Sequence, residues 1–204
     1  MPNWCQTTLK ITHDDTAQIA RAVAAFAREE FMQEFDPCPQ DLLDTMAGHH
    51  AAGSPEEAEL QARRARNLEQ YGFEDWYDWK VANWGTKWDV GGQDGPEYTE
   101  GDTGATFHFD SAWSPPVEFF ATLEEQGFEV DAMWYEPGVG FCGQYSDGAE
   151  DSYNIEGDSD WVDENIPEHI NTHFAIAENM AMWEDEEQAE ENEDGEDEDG
   201  AGVE

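Results

Sequence analysis

The first clear pattern is "WCQTTLKIT" at 4–12, where Cys5, Thr7, Leu9 and Ile11 fall on one side and Gln6, Thr8 and Lys10 on the other. A period of two belongs to a half-buried strand. Asp14 or Asp15 then stands in a capping position ahead of Ile19, Val23, Phe26 and Ala27, whose three-to-four spacing predicts a helix. Two prolines in "FDPCPQDLL" (35–43) forbid a regular ladder, and "AGHHAAGSP" (47–55) is a loop by composition. Ser54, Pro55 and Glu57 open a capping-box helix that runs to about Tyr71, with Gly72 as its stop.

Alternation returns in "NWGTKWDV" (83–90), with Trp84, Thr86, Trp88 and Val90 on one face and Lys87 and Asp89 on the other. This predicts a strand whose indoles point away from a solvated Lys87–Asp89 pair. "ATFHFDSAW" (105–113) predicts a further strand, with Phe107, Phe109, Ser111 and Trp113 opposite His108 and Asp110. Ser114 and Pro115 start a helix with Val117, Phe120 and Leu123 on one stripe, ended by Gly127. Residues 128–145 read as a hairpin with Phe128, Val130, Ala132 and Trp134 inward and a turn at Pro137 and Gly138.

The resulting fold class is α+β, a ferredoxin-like split βαβ antiparallel sheet with both helices on one face. It carries a helical insertion at about 31–82, an extra C-terminal hairpin strand and a C-terminal helix. The sandwich occupies 1–147. Residues 148–183 form an acidic linker and an amphipathic helix from Pro167, with Ile170, Phe174, Ala177 and Ala181 on one stripe and Ile176, Met180 and Trp183 beside it. So wide a stripe is expected to dock on the open side of the sheet or on another chain. The thirteen acids of 184–204 predict a disordered tail.

Charge sharpens the picture. Eight Lys and Arg face fifty Asp and Glu, a net charge of -42, and every base lies in the first 87 residues. Without cations to displace counterions, direct binding of nucleic acid or an anionic membrane is disfavoured across residues 88–204. A partner is expected to be basic. Three scattered cysteines and no long apolar run place the chain in a reducing compartment, with cytoplasm the default and no membrane span expected.

Four ordered stretches, "MPNWC", "NWGTKWD", "FHFDSAWSPP" (107–116) and "YEPGVGFCG" (135–143), together resemble the YubB ferredoxin-like domain family of plasmid and phage proteins. The resemblance covers about 1–147. It implies a ferredoxin-like fold without an iron–sulfur cluster, carriage on a mobile element and action in the cytoplasm of a bacterial host. Trp4, Asn83, Trp84, Lys87, Trp88, Trp113 and Tyr135 are the positions that mark it, with packing as their expected role.

Candidate chemistry is sparse. Cys5, Cys38 and Cys142 lack the spacing of a cluster or zinc site, and Cys5 and Cys142 are expected to pack inside the sheet as small hydrophobes. His169 and His173 sit four apart on the predicted helix, the geometry of paired metal ligands, but no H-E-x-x-H motif accompanies them. The stretch 158–169 fails as a calcium loop, with Asp163 where Gly and His169 where Glu should stand, and diffuse cation screening accounts better for its carboxylates. No catalytic or cofactor-binding set emerges. The expected function is non-enzymatic: an acidic mobile-element accessory protein that binds a basic, nucleic-acid-binding host protein, as a nucleic-acid mimic or defence inhibitor. The alternatives are an acidic coat that serves only solubility or a high-salt cytoplasm, and a metal-dependent enzyme.

Overall fold

The computed structural model describes residues 2–92 and 95–198. Five strands form one sheet, β1 (Trp4–Thr12), β2 (Gly104–Ala112), β3 (Glu129–Glu136), β4 (Phe141–Ser146) and β5 (Ala149–Asn154), in the order β2-β1-β3-β4-β5. Every neighbouring pair is antiparallel. Helix α6 (Val117–Glu125) joins β2 to β3 while β1 runs between them, which is the split βαβ unit of the expected α+β fold.

Alternation decides the two faces of the sheet. Cys5, Leu9 and Ile11, Phe107 and Phe109, Val130, Ala132 and Trp134, and Tyr145 point to the front and are buried. Helix α1 (Thr16–Ala27), capped by Asp15 through Ala17 N (2.9 Å), and α6 cover this face. Phe31 stacks on Phe107 and Phe26 packs against it tilted, with ring centroids 4.9 and 5.0 Å from that of Phe107. Burying an aromatic side chain of this kind is worth about 1.5–3 kcal/mol.

The insertion is helical, comprising α2 (Phe31–Phe35), α3 (Gln40–Leu43), α4 (Pro55–Tyr71) and α5 (Trp76–Trp84). Ser54 Oγ accepts from Glu57 N at 3.1 Å, whereas the Glu57 carboxylate accepts from His50 N at 2.8 Å, so half of the capping box forms. Gly72 ends α4 in the left-handed conformation. Arg64 and Asp75 form a buried ion pair at 3.3 Å, and Arg64 also donates to Met46 O and Gly48 O, tying α4 to the loop before it.

The structure corrects the strand predicted at 83–90. Asn83 and Trp84 are the last residues of α5, and Gly85, left-handed at φ 83°, turns the chain out of the helix. A Cβ at Gly85 would lie 3.1 Å from Pro115 O and from Val117 N, so this close approach needs glycine. Trp84, Thr86, Trp88 and Val90 match a period of two only because a helix end and a loop happen to alternate.

The back of the sheet is also covered, over β3 and β4. Helices α7 (Ser159–Asn165), α8 (Glu168–Phe174) and α9 (Ile176–Glu198) bury Val162, Ile166, Ile170, Ile176 and Ala177 against Cys142, with Met133, Tyr135 and Tyr153 alongside. Of the stripe predicted after Pro167, Ile170, Ile176 and Ala177 pack on the open side, as two helices broken at Ala175, which is left-handed at φ 50°, whereas Trp183 is exposed. The acidic composition after residue 184 does not stop the helix: α9 runs to Glu198, Glu and Ala being good helix formers. The end of the predicted tail, 199–204, lies outside the described residues. Strand β5 and α7 occupy part of the stretch read as an acidic linker, and the Asp158 carboxylate caps α7 by accepting from Trp161 N at 3.0 Å.

Candidate functional site

The four marking stretches converge at one end of the sheet, and nearly every side chain in them has a structural task. In "NWGTKWD", Asn83 bonds back to Trp79 O at 2.8 Å, and buried Trp84 donates its indole N–H to Asp36 O at 2.9 Å. Thr86 Oγ1 donates to Ala112 O at 2.9 Å, and Asp89 accepts from Met32 N, Gln33 N and Val90 N. Ser111 Oγ donates to Ser114 O (2.7 Å) and Ser114 Oγ to Gly85 O (2.6 Å), which fastens the corner before α6. The buried Glu136 carboxylate closes the β3–β4 turn by accepting from Gly138 N (2.8 Å) and Val139 N (2.6 Å). Tyr135 lies half-buried on the back face, 6.1 Å from the Phe174 ring, and its phenol is pushed up by burial and by nearby Cys142 and Glu136.

What remains is an outward-facing group: Trp4, Lys87, Trp88 and Trp113. The three indoles are 45%, 42% and 50% exposed. Trp4 and Trp88 have ring centroids 6.0 Å apart. Lys87 Nζ sits 4.1 Å from the Trp88 centroid and 5.7 Å from that of Trp113. This overturns the reading of Lys87 as half of a solvated pair with Asp89. Asp89 is turned inward to cap α2, and the lysine is held on aromatic faces instead. Among the described residues no carboxylate lies within ion-pair distance of Lys87.

Trp113 has φ 75° while its N–H bonds to Asn3 O at 3.0 Å. A bulky residue in the left-handed region is strained by about 1–3 kcal/mol. Here the strain aims an indole at solvent rather than into the core. Among these residues Trp84 is fully buried, while Trp4, Trp88 and Trp113 form a surface.

A second polar region lies on the uncovered back face of β1 and β2. Thr8 Oγ1 is 2.8 Å from His173 Nε2 and 3.1 Å from His108 Nδ1, so one hydroxyl links α8 to the edge strand. Burial and the neighbouring His108 hold the His173 imidazole below its ordinary value. His169 Nε2 bonds Gln144 Oε1 at 2.6 Å beside a cavity of about 360 Å³ that Lys10, Thr106 and Asp131 also line. His169 and His173 thus reach different strands, β4 and β1. Among the described residues no three His, Cys, Asp or Glu side chains are grouped to hold a metal ion. Thr8, Lys10 and His108 were legible as polar-face residues of their strands, but only the placement of α8 brings them beside the two histidines.

Charge elsewhere is left largely uncompensated. Among the described residues, arginine pairs engage Glu30, Glu34 and Asp75, against fifty acids in the chain. No described helix is long and apolar enough to cross a membrane.

No family model matches the chain, and no curated protein sequence matches it. Among solved structures it is similar to protein api92 from Yersinia pseudotuberculosis, assigned to the family DUF1281, at 14% identity and a TM-score of 0.40, over 77% of this chain and 99% of that one.

Proposed function

We propose that this chain is a non-enzymatic accessory protein of a plasmid or phage that binds a basic protein of its bacterial host, imitating the charge array of nucleic acid. The observation that carries this reading is the unpaired acidity: thirty-five of the fifty acids follow Lys87, where the sequence has no Lys or Arg. The packed core supports it as well, because carboxylates fixed on a rigid body present a defined pattern that a solvating tail does not. Each charge so held raises the local concentration of cationic partners and favours their approach over that of anions. The mobile-element and cytoplasmic parts of the reading rest on the family resemblance.

The test is affinity capture from bacterial lysate at low and moderate salt, followed by competition with duplex DNA. A mimic retains nucleic-acid-binding proteins that duplex DNA displaces and that salt releases as the contact is screened. Captured proteins that DNA does not displace would overturn the nucleic-acid imitation, and a chain that folds only in molar salt and retains nothing basic would leave the acidity as a solvation coat and end this reading.

A further inference from the structure

We infer that Trp4, Trp88 and Trp113 are the anchor of a docking surface for a basic protein segment, and that the group seated on them is an arginine side chain. The inference rests on the proposed function for the sign of the partner's charge, and adds where the partner is gripped and by what chemistry.

Four observations lead to it. Three indoles, each exposed by between 42% and 50%, stand together, Trp4 6.0 Å from Trp88 and Trp113 joined to Trp88 through Lys87, and clustered exposed aromatics mark interaction surfaces. Trp113 is held at φ 75°, a strained conformation for a bulky residue, with its indole half exposed. The patch already holds a cation, Lys87 Nζ at 4.1 Å from Trp88 and 5.7 Å from Trp113, so its ring faces are oriented for cation–π contact. Finally, a chain with net charge -42 gains on approach only from a cationic partner.

Arginine fits better than lysine. Its planar guanidinium stacks flat on indole and loses less hydration than an ammonium does. Lys87 lies closest to Trp88 and farther from Trp113, and both Trp4 and Trp113 are about half open to solvent. A partner arginine would therefore stack on the open face of Trp4 or of Trp113. Trp and Arg are also the residue types that dominate the energetics of protein interfaces.

The test uses the full chain with hexa-arginine, hexa-lysine and oligothymidine as probes, read by tryptophan fluorescence and calorimetry in low salt. The expected result is that hexa-arginine binds at least about tenfold more tightly than hexa-lysine. The W4A/W113G pair should remove that preference while circular dichroism stays unchanged. Glycine is chosen at 113 because it accepts the positive φ. Equal affinity for the two peptides, untouched by the Trp substitutions, would overturn the inference while leaving the acidic-surface reading standing. Failure of both peptides to bind would end both. Tighter binding of oligothymidine than of hexa-arginine would make the patch a base-stacking platform and overturn the arginine assignment.

Discussion

Asp89 caps helix α2 from fifty-seven residues away in sequence, its carboxylate accepting the backbone N–H of Met32 at 2.7 Å. The second oxygen takes Gln33 N at 2.9 Å, so the loop after α5 is bolted to the start of the insertion. That bolt holds Lys87 and Trp88 at the surface, two residues and one residue upstream of it.

Replacing Asp89 by Ala should cost about 1–2 kcal/mol, the range of a lost helix cap. Burial raises the Asp89 pKa above 3.8 even though three backbone N–H bonds pull it down. The folded state thus binds the proton more tightly than the unfolded one. This contribution is full below 3.8 and is lost as pH rises through the raised folded value. D89N should lack that slope. Urea titrations of wild type and D89N at several pH values measure it, and parallel curves would refute the assignment.

Trp84 and Trp113 should respond oppositely to removal. W84A empties a fully buried site and leaves Asp36 O without its donor, so a loss of about 3–5 kcal/mol is expected. W113G should stay within about 1 kcal/mol of wild type, because relief of the positive φ offsets lost contacts. Thermal or urea unfolding separates them; a large loss in W113G would make Trp113 a packing residue.

Docking of α8 should weaken as the solution is acidified. His173 is held below the ordinary 6.5 by burial first and by His108 second. Asp110 lines the same cavity and Glu97 lies 3.6 Å from His108 on its outer side. A depressed histidine gives stability that is present above the unfolded value and lost as pH falls through the folded one. Protection of the amides in 168–174, taken relative to their intrinsic exchange rates at each pH, should therefore fall below about pH 6.5, and H173N should abolish that dependence. An unchanged profile in H173N would move the effect to another group.

The three thiols should be silent in the native protein. Burial pushes Cys5 up to about 12 and Cys38 and Cys142 each to about 11. Reactivity follows the thiolate, so a disulfide reagent at pH 8 should register all three only after denaturation. A thiol titrating rapidly in native buffer would show that its site opens.

Much of the sandwich was readable because its signals are local. The alternations of β1, β2 and β3, the Asp15 cap and the Ser54 start all depend on neighbours within a few residues, and the structure keeps them. Strand β5 carried a local signal too, Asp147-Gly148 with φ 51° and 73°, the two-residue turn of a tight hairpin. Because Glu150, Asp151 and Ser152 are exposed, no apolar period advertises this edge strand. Likewise Asp75, which caps α5, and Gly85, which ends it, frame a helix that the chance alternation of Trp84, Thr86 and Trp88 concealed.

The sequence by itself determined the α+β class, the inward face of each core strand and the separation of charge along the chain, since periodicity, capping and ionisation are properties of short segments. Only the tertiary structure decided that Asp89 turns inward and that Lys87 rests on Trp88 and Trp113. It also decided that His173 meets Thr8 and that Trp4 stays uncovered. Those contacts join residues from 4 to 173. They form because packing the front and back faces brings distant segments together, and no local pattern encodes which side chains are left outside when the sheet is covered.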